Sequence, residues 1–386
     1  MNQPLMRLAT KEDLPAIINL WAYCFNDGDI FQNWYFRNYY RTEECLVVTV
    51  DDTVVASLQV IDLPTVVGNK QVQAGYIVGV DCLPEYRGQG LTRMLMESAI
   101  ERFTPQKGYA LVHLMPFEAD FYEPYGFVYA DYHAKMTLPI EEFYRTAYRD
   151  ASKAYHWQTV DLNDYGDFLP ILEDIYSRAM EKYDGYVMRG NERRWSALLD
   201  DARLENGHCK VIYNETNEAE GYIVYILDGN GLMIREVQSV NQRARQAIYY
   251  FIASHRSQAK AVRWSAALNE PVVYSRKKDK QGVVIEPFMM QLIIDPRIIG
   301  AFATSLPDET IDFNVKEHGN YRWYAHSQQI ERIAVVSKDI PSFSRATLTQ
   351  LVFDKIGWDE YGVDGKTMKM RALFKEKKQF FNNEYF

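Results

Sequence analysis

A chain of 386 residues, 47% of them hydrophobic, is long enough for two or three domains with packed cores. Its formal charge of −9 argues against nucleic acid as the main partner, because phosphate binding wants a basic surface. No stretch approaches the roughly eighteen apolar residues of a membrane span, and MNQPLMRLATKEDLPAI lacks the basic-then-apolar pattern of a leader, so the chain reads as neither membrane-spanning nor exported. Cys24, Cys45, Cys82 and Cys209 stand without C-x-x-C spacing and the 7 histidines form no cluster, which points to reduced thiols and no metal.

Met6 to Ala9 reads as a short strand. Thr10, followed by Glu12 and Asp13, opens a capped helix with Leu14, Ile17, Ile18 and Trp21 on one face. A second helical segment spans Ile30 to Tyr40. The aromatics Phe25, Phe31, Trp34, Tyr35 and Phe36, beside Asp27 and Asp29, either form core or line a pocket for a cation. Cys45 to Asp51 and Val54 to Leu63 are β-rich runs joined at Asp51-Asp52, a hairpin signal, and the sheet continues through Gln71 to Leu83.

The stretch from Ala74 to Phe103 organises the rest. An apolar run ends at Pro84; then come Arg87-Gly88-Gln89-Gly90-Leu91-Thr92 and a helix with Leu91, Met94, Leu95, Ser98 and Ala99 on one face. Strand, glycine loop, helix is an arrangement that brings an anion close to the unpartnered N–H groups of a helix start. The spacing matches neither the ATP-type nor the NAD-type glycine loop, so a different phosphate or pyrophosphate is implied. Tyr109 to Met115 forms another strand, stopped by Pro116, and is followed by FEADFYEPYGF.

From Trp157 the pattern restarts. Asp161 to Met180 reads helical, Cys209 to Asn214 and Tyr222 to Leu227 as hairpin strands, Gly231 to Arg256 as strand, turn and helix, and Ala261 to Tyr274 as a further strand. This is a second copy of the first domain. In place of the glycine loop it has Val240-Asn241-Gln242-Arg243-Ala244-Arg245, whose side chains would crowd a pyrophosphate, so the copy is expected to act as scaffold. After Gly282 an alternating region and helical PSFSRATLTQLVF suggest a separate α+β domain.

Arg87-x-x-Gly90-x-Thr92 resembles the acyl-CoA signature R/Q-x-x-G-x-G/A of the GNAT superfamily of N-acetyltransferases, and Cys82-Leu83-Pro84-Glu85-Tyr86-Arg87-Gly88 resembles its preamble. Thr92 departs from the pattern, though a small side chain still admits an anion to the backbone. FYEPYGF matches the family segment that places a tyrosine, here Tyr122, beside the cofactor sulfur as acid. A thiol of pKa about 8.5 and a phenol near 10 differ by roughly 2 kcal/mol, which local tuning can cover.

Two such copies followed by a third domain, and the ending Asn382-Asn383-Glu384-Tyr385-Phe386, resemble the Eis (enhanced intracellular survival) family. The resemblance implies an α/β (α+β) fold: tandem GNAT domains, each a mixed sheet flanked by helices, at 1–150 and 151–283, then a sterol-carrier-protein-like α+β domain at 284–386. It implies acetyl-CoA as cosubstrate, no metal, and direct acetyl transfer in a ternary complex to a primary amine of a polycationic, aminoglycoside-like small molecule. Cys82, Leu83, Arg87, Gly88, Gln89, Gly90, Leu91 and Thr92 would hold the cofactor, with oxyanion contacts from the amides of Cys82 and Leu83. The chain-terminal carboxylate at Phe386 would act as base or orienting group, and Asp27, Trp34 and Glu384 are candidates for the acceptor. The resemblance also implies a cytoplasmic homohexamer. The competing reading is a lipid-carrier or interaction protein with a vestigial acyltransferase domain.

Overall fold

The computed structural model describes residues 3–68, 70–147, 149–274, 282–303, 308–334, 340–353, 370, 380–381 and 383–384. The chain divides into two compact units, one of residues 1–131, 183–188 and 288–386, the other of 132–182 and 189–287.

The first unit is built on a seven-stranded sheet in the order Leu5–Leu8, Cys45–Val50, Thr53–Asp62, Ala74–Cys82, Leu111–Leu114, Met290–Ile293, Val128–Tyr129. Neighbours are antiparallel except Ala74–Cys82 and Leu111–Leu114, which run parallel. Asp51 and Asp52 turn the hairpin between the second and third strands with φ of 49° and 61°, the left-handed pair that a two-residue turn matching strand twist demands. Helix Leu91–Ser98 lays Leu91, Leu95 and Met96 on one face of the sheet, where they share a core with Leu58, Val60 and Val112. Helices Leu14–Phe25 and Asp29–Trp34 cover the other face: Trp21 packs on Gly79, and the Tyr35 hydroxyl donates to Gln59 Oε1 at 2.8 Å.

Thr310–Val315, Gly319–Tyr324, Gln329–Ile333 and Ser342–Phe343 form a separate four-stranded sheet, with helix Arg345–Val352 beside it. Its Phe313, Trp323 and Leu348 nevertheless share one core with Val67, Ala74, Leu111 and Ile293, so this region is part of the first unit. Near the chain end, Phe380–Phe381 pairs with Gly185–Val187, which in turn pairs with Thr65–Val67.

The second unit repeats the strand order: His156–Val160, His208–Tyr213, Ala219–Asp228, Gly231–Ser239, Ala261–Ala267, Tyr132–Pro139, Val283–Pro287. Here too one parallel pair, Gly231–Ser239 with Ala261–Ala267, sits inside an otherwise antiparallel ladder. In both sheets the sixth strand comes from the other half of the sequence: Met290–Ile293 enters the first and Tyr132–Pro139 the second. The units therefore do not follow the boundaries expected after residues 150 and 283. Hydrophobic patterning marks both segments as strands but carries no record of which sheet takes them.

Among the described residues no helix is long and apolar enough to cross a membrane, and no three His, Cys, Asp or Glu side chains gather as metal ligands.

Candidate active site

The site grows from the way strand Ala74–Cys82 loses its neighbour. Its parallel pairing with Leu111–Leu114 runs from Ala74 opposite Leu111 to Ile77 opposite Leu114 and then stops. On the other side the ladder shifts: Ser57 stands opposite Asp81 and Gln59 opposite Val78, so three steps of one strand face two of the other. Such a bulge bends a strand and re-aims its end. Gly79 sits within it at φ +61°, and a Cβ there would lie 2.4 Å from Trp21 Cζ3. The last residues of the strand thus border a gap, since among the described residues no strand pairs with them on that side.

Antiparallel ladders alternate bonded and unbonded pairs, so one hydrogen bond fixes where the next residue's amide points. The Leu83 N–H donates to the Val55 carbonyl at 2.9 Å, which turns the amide and carbonyl of Cys82 toward the gap. The Cys82 carbonyl accepts from Arg87 Nε at 3.0 Å and from the Cys24 thiol at 3.7 Å. Of the two amides expected to face a ligand, that of Leu83 is consumed by the sheet and that of Cys82 is directed to the opening.

The loop follows at once. Gly88 and Gly90 have φ of +74° and +80°, and a Cβ at either would meet nothing within 4 Å. Glycine is needed for the backbone, and its lack of a side chain leaves the space over the amides open. Gln89 Nε2 closes the loop onto the Glu85 carbonyl at 3.2 Å. Helix Leu91–Ser98 starts at Gly90 with no side-chain cap, and its first backbone bond is Met94 N–H to the Gly90 carbonyl at 2.9 Å. The N–H groups of Leu91, Thr92 and Arg93 precede that bond and have no intrahelical acceptor, which suits a diphosphate. A cleft of about 530 Å³ connects loop and gap, walled by Val80, Asp81, Cys82, Arg87, Phe117 and Phe121.

Tyr122 ends the short helix Ala119–Tyr122, and Gly126 at φ +94° turns the chain after it. Its ring is 4% exposed, with centroids 4.9 Å from Phe121, 5.8 Å from Phe117 and 6.4 Å from Phe127, so two residues of the cleft wall hold it. Burial, reinforced by Tyr125, pushes its phenol up to about 12. It stays protonated across the neutral range.

Asp81 was not singled out in the sequence. Its carboxyl is 3% exposed, with Oδ1 accepting from the Ser57 N–H at 2.8 Å and the Ser57 hydroxyl at 2.7 Å, while Oδ2 has no partner among the described residues. Burial outweighs those two donors and the residue's own backbone N–H, and pushes its pKa up to about 8. One polar residue interrupting the run Tyr76 to Leu83 was the available signal.

The candidate acceptor residues are dispersed. Asp27 is exposed and accepts from Trp21 Nε1 at 3.0 Å. Trp34 is 5% exposed with its ring 5.9 Å from both Phe31 and Tyr39, a core position. Glu384 is buried, three residues beyond a strand whose Phe380 ring lies 6.2 Å from His113. Phe386 lies outside the described residues.

In the second unit the equivalent place is filled. Helix Gln242–Ser254 is capped by Asn241, whose side chain accepts from the Ala244 N–H at 2.8 Å. Arg245 is buried and donates to the Val237 carbonyl at 3.2 Å.

Residues 6–130 match one family model described as an acetyltransferase (GNAT) domain, and residues 185–298 match a second of the same description. The chain is a GNAT N-acetyltransferase of Eis-like fold. The two matches span more than half of it and include the loop, Cys82 and Tyr122. A search of curated proteins gives no match. Among solved structures, this acetyltransferase is similar in fold to a conserved protein of Enterococcus faecalis described as a probable N-acyltransferase, with 19% identity, full coverage of both chains and a TM-score of 0.85. A GCN5-related N-acetyltransferase of Anabaena variabilis is 18% identical over the full length of both, with a TM-score of 0.82. Eis1 of Mycobacterium abscessus is 14% identical, covering 99% of this chain and 100% of that one, with a TM-score of 0.76. Folds of the GNAT family use acetyl-CoA, and the open amides of this loop fit its diphosphate.

Proposed function

We propose that the enzyme moves the acetyl group of acetyl-CoA directly to a primary amine of a polycationic small molecule, both substrates being bound together. The observation that carries this reading is the Cys82 amide, turned into the gap at the end of a cleft that begins at the glycine loop. The amides of Gly88 to Thr92 and the Arg87 guanidinium would hold the diphosphate. The Cys82 N–H would meet the thioester oxygen as negative charge grows there, a contact worth some 3 kcal/mol where such donors have been removed.

Tyr122 would serve the departing sulfur. With its phenol at about 12, complete proton transfer to a thiolate of pKa about 8.5 runs uphill by roughly 5 kcal/mol. Its part is therefore a hydrogen bond to the forming thiolate, with the proton restored from the attacking nitrogen. The charge of −9 and exposed Asp27 favour a cationic acceptor of the aminoglycoside kind. The second GNAT copy would be scaffold, the sterol-carrier-like region of 284–386 would serve structure, and the assembly would be a cytoplasmic homohexamer.

Acetyl-CoA titration followed by detection of released CoA thiol over a panel of amines tests the reading. Turnover on polycationic amines is expected. Tyr122→Phe is expected to lower kcat about 100-fold while leaving acetyl-CoA affinity unchanged. Tight CoA binding with no turnover on any amine would favour a carrier instead.

A further inference from the structure

An alkylammonium group cannot attack a thioester until it loses a proton; the chain-terminal carboxylate expected to take or orient it lies outside the described residues, and among those that are described Asp81 is placed to accept it. The reading developed here rests on the acetyl-transfer function above. Asp81 lies at the edge of the gap, one residue before the Cys82 amide, and lines the same cleft. It shares the face of the sheet that carries Ser57 and Gln59, the face covered by helices Leu14–Phe25 and Asp29–Trp34. The loop helix covers the opposite face. A ligand entering the cleft past Cys24 and Phe25 would therefore meet Asp81 beside the amide that polarises the acetyl group. Its Oδ1 is fixed by two donors from Ser57, and its Oδ2 has none among the described residues. Buried polar atoms are almost always paired, and exceptions mark sites whose partner is a ligand or a reacting group.

We propose that Asp81 Oδ2 is the proton acceptor for the incoming amine. As carboxylate it takes one proton from the ammonium. The freed nitrogen bonds to the acetyl carbon, the carbon–sulfur bond breaks, and sulfur leaves with the electron pair. A second N–H proton reaches the sulfur by way of the Tyr122 hydroxyl. Asp81 gives its proton to solvent once the cleft empties, so ammonium and acetyl thioester yield amide, thiol and one proton.

The surroundings suit that task. The titratable groups near Asp81 are Cys45, two strands away in the sheet and held protonated by burial, and Cys82, raised by burial and moderated by Arg87. Cys24 and Glu85 act on Cys82 in turn, while Arg87 is tied to the Cys82 carbonyl. Burial and the Ser57 donors set Asp81 itself, at about 8. A base in that range lies far closer to an alkylamine than an ordinary carboxylate does, and its ionised fraction is substantial at mildly alkaline pH.

The test compares 1,4-diaminobutane, protonated at about pH 8, with adipic dihydrazide, whose terminal nitrogens are uncharged there. Both are measured at saturating acetyl-CoA on the full chain. Asp81→Asn keeps the shape and an acceptor for Ser57. It is expected to lower kcat on the diamine by about 100-fold or more and on the dihydrazide by less than about fivefold. Equal losses on both would show a structural role and overturn the proposal, as would an undiminished rate on the diamine. Should the Asn variant fail to fold, Ser57→Ala replaces it. Loss of a donor to the carboxylate should move the acid limb of the diamine kcat profile to higher pH and leave the dihydrazide profile in place; an unmoved diamine profile would refute the assignment. Wild-type enzyme that acetylates neither compound would overturn the acetyl-transfer reading, and this one with it.

Discussion

Gly90 and Gly108 share a backbone conformation, with φ of +80° and +72° and open space where a Cβ would stand, but Gly90 alone of the pair lines the cleft. Alanine at either position costs about 1–2 kcal/mol of left-handed strain. Gly90→Ala should also raise the KM for acetyl-CoA at least tenfold, because its methyl group occupies the approach to the loop amides. Gly108→Ala should lose similar stability with KM unchanged. Thermal melts and steady-state kinetics on the two variants separate strain from obstruction.

Asp81 makes a second prediction at this scale. Its folded pKa of about 8 lies above the ordinary value of 3.8, so the folded state holds the proton more tightly than the unfolded chain. Stability linked to this group is present below about pH 4 and declines as pH rises toward 8. Asp81→Asn removes that decline. The melting temperatures of variant and wild type should agree near pH 4, diverge in favour of the variant up to about pH 8, and stay apart beyond it. A gap independent of pH would exclude this account.

At the scale of elements, the second GNAT copy shows what a helix start becomes once it is sealed, since Asn241 caps the turn that Gly90 leaves open. Its sheet and helices are held by a different device. Arg189 donates two hydrogen bonds to Glu236, at 2.6 and 2.9 Å, and its guanidinium lies 4.6 Å from the Tyr176 ring and 4.8 Å from that of Trp195. Both ionic side chains are 1% exposed, and Tyr222 donates to the same carboxylate. Glu236→Gln leaves a buried cation without its counter-charge and should destabilise by about 3–5 kcal/mol. Urea denaturation with an unchanged slope would measure it.

These elements differ in how far the sequence announced them. The loop and the hairpin at Asp51-Asp52 were legible because left-handed backbone recruits a narrow set of residues, and neighbours along the chain decide it. The open backbone from Arg87 to Thr92 was legible for the same reason. Leu83 was misjudged because its amide is claimed by Val55, a residue distant in sequence. Asp81 went unnoticed because its importance depends on Ser57 across the ladder and on a bulge at Gly79. Trp34 looked like a ligand-facing aromatic and is core, a distinction set by what packs over it.

At the scale of the whole molecule, the exchanged strands make the first unit depend on residues that come after the second. Without Met290–Ile293, strand Leu111–Leu114 has an apolar edge and the sheet loses the link to Val128–Tyr129. A fragment of residues 1–150 should therefore expose hydrophobic surface, bind a dye such as ANS and fail to bind acetyl-CoA, although it contains the entire loop. A cooperative melt from that fragment would show that the borrowed strand is dispensable.

The same interlacing sets an order of events at the ribosome. The unit whose own copy of the loop is sealed has all its strands once Val283–Pro287 has emerged, whereas the unit with the open glycine loop begins first and finishes later. At typical elongation speeds its early strands wait on the order of ten seconds for a partner still to be translated. During that interval the nascent enzyme is open to capture by chaperones, and a delay in the middle of the message would prolong the exposure of the half that carries the open glycine loop.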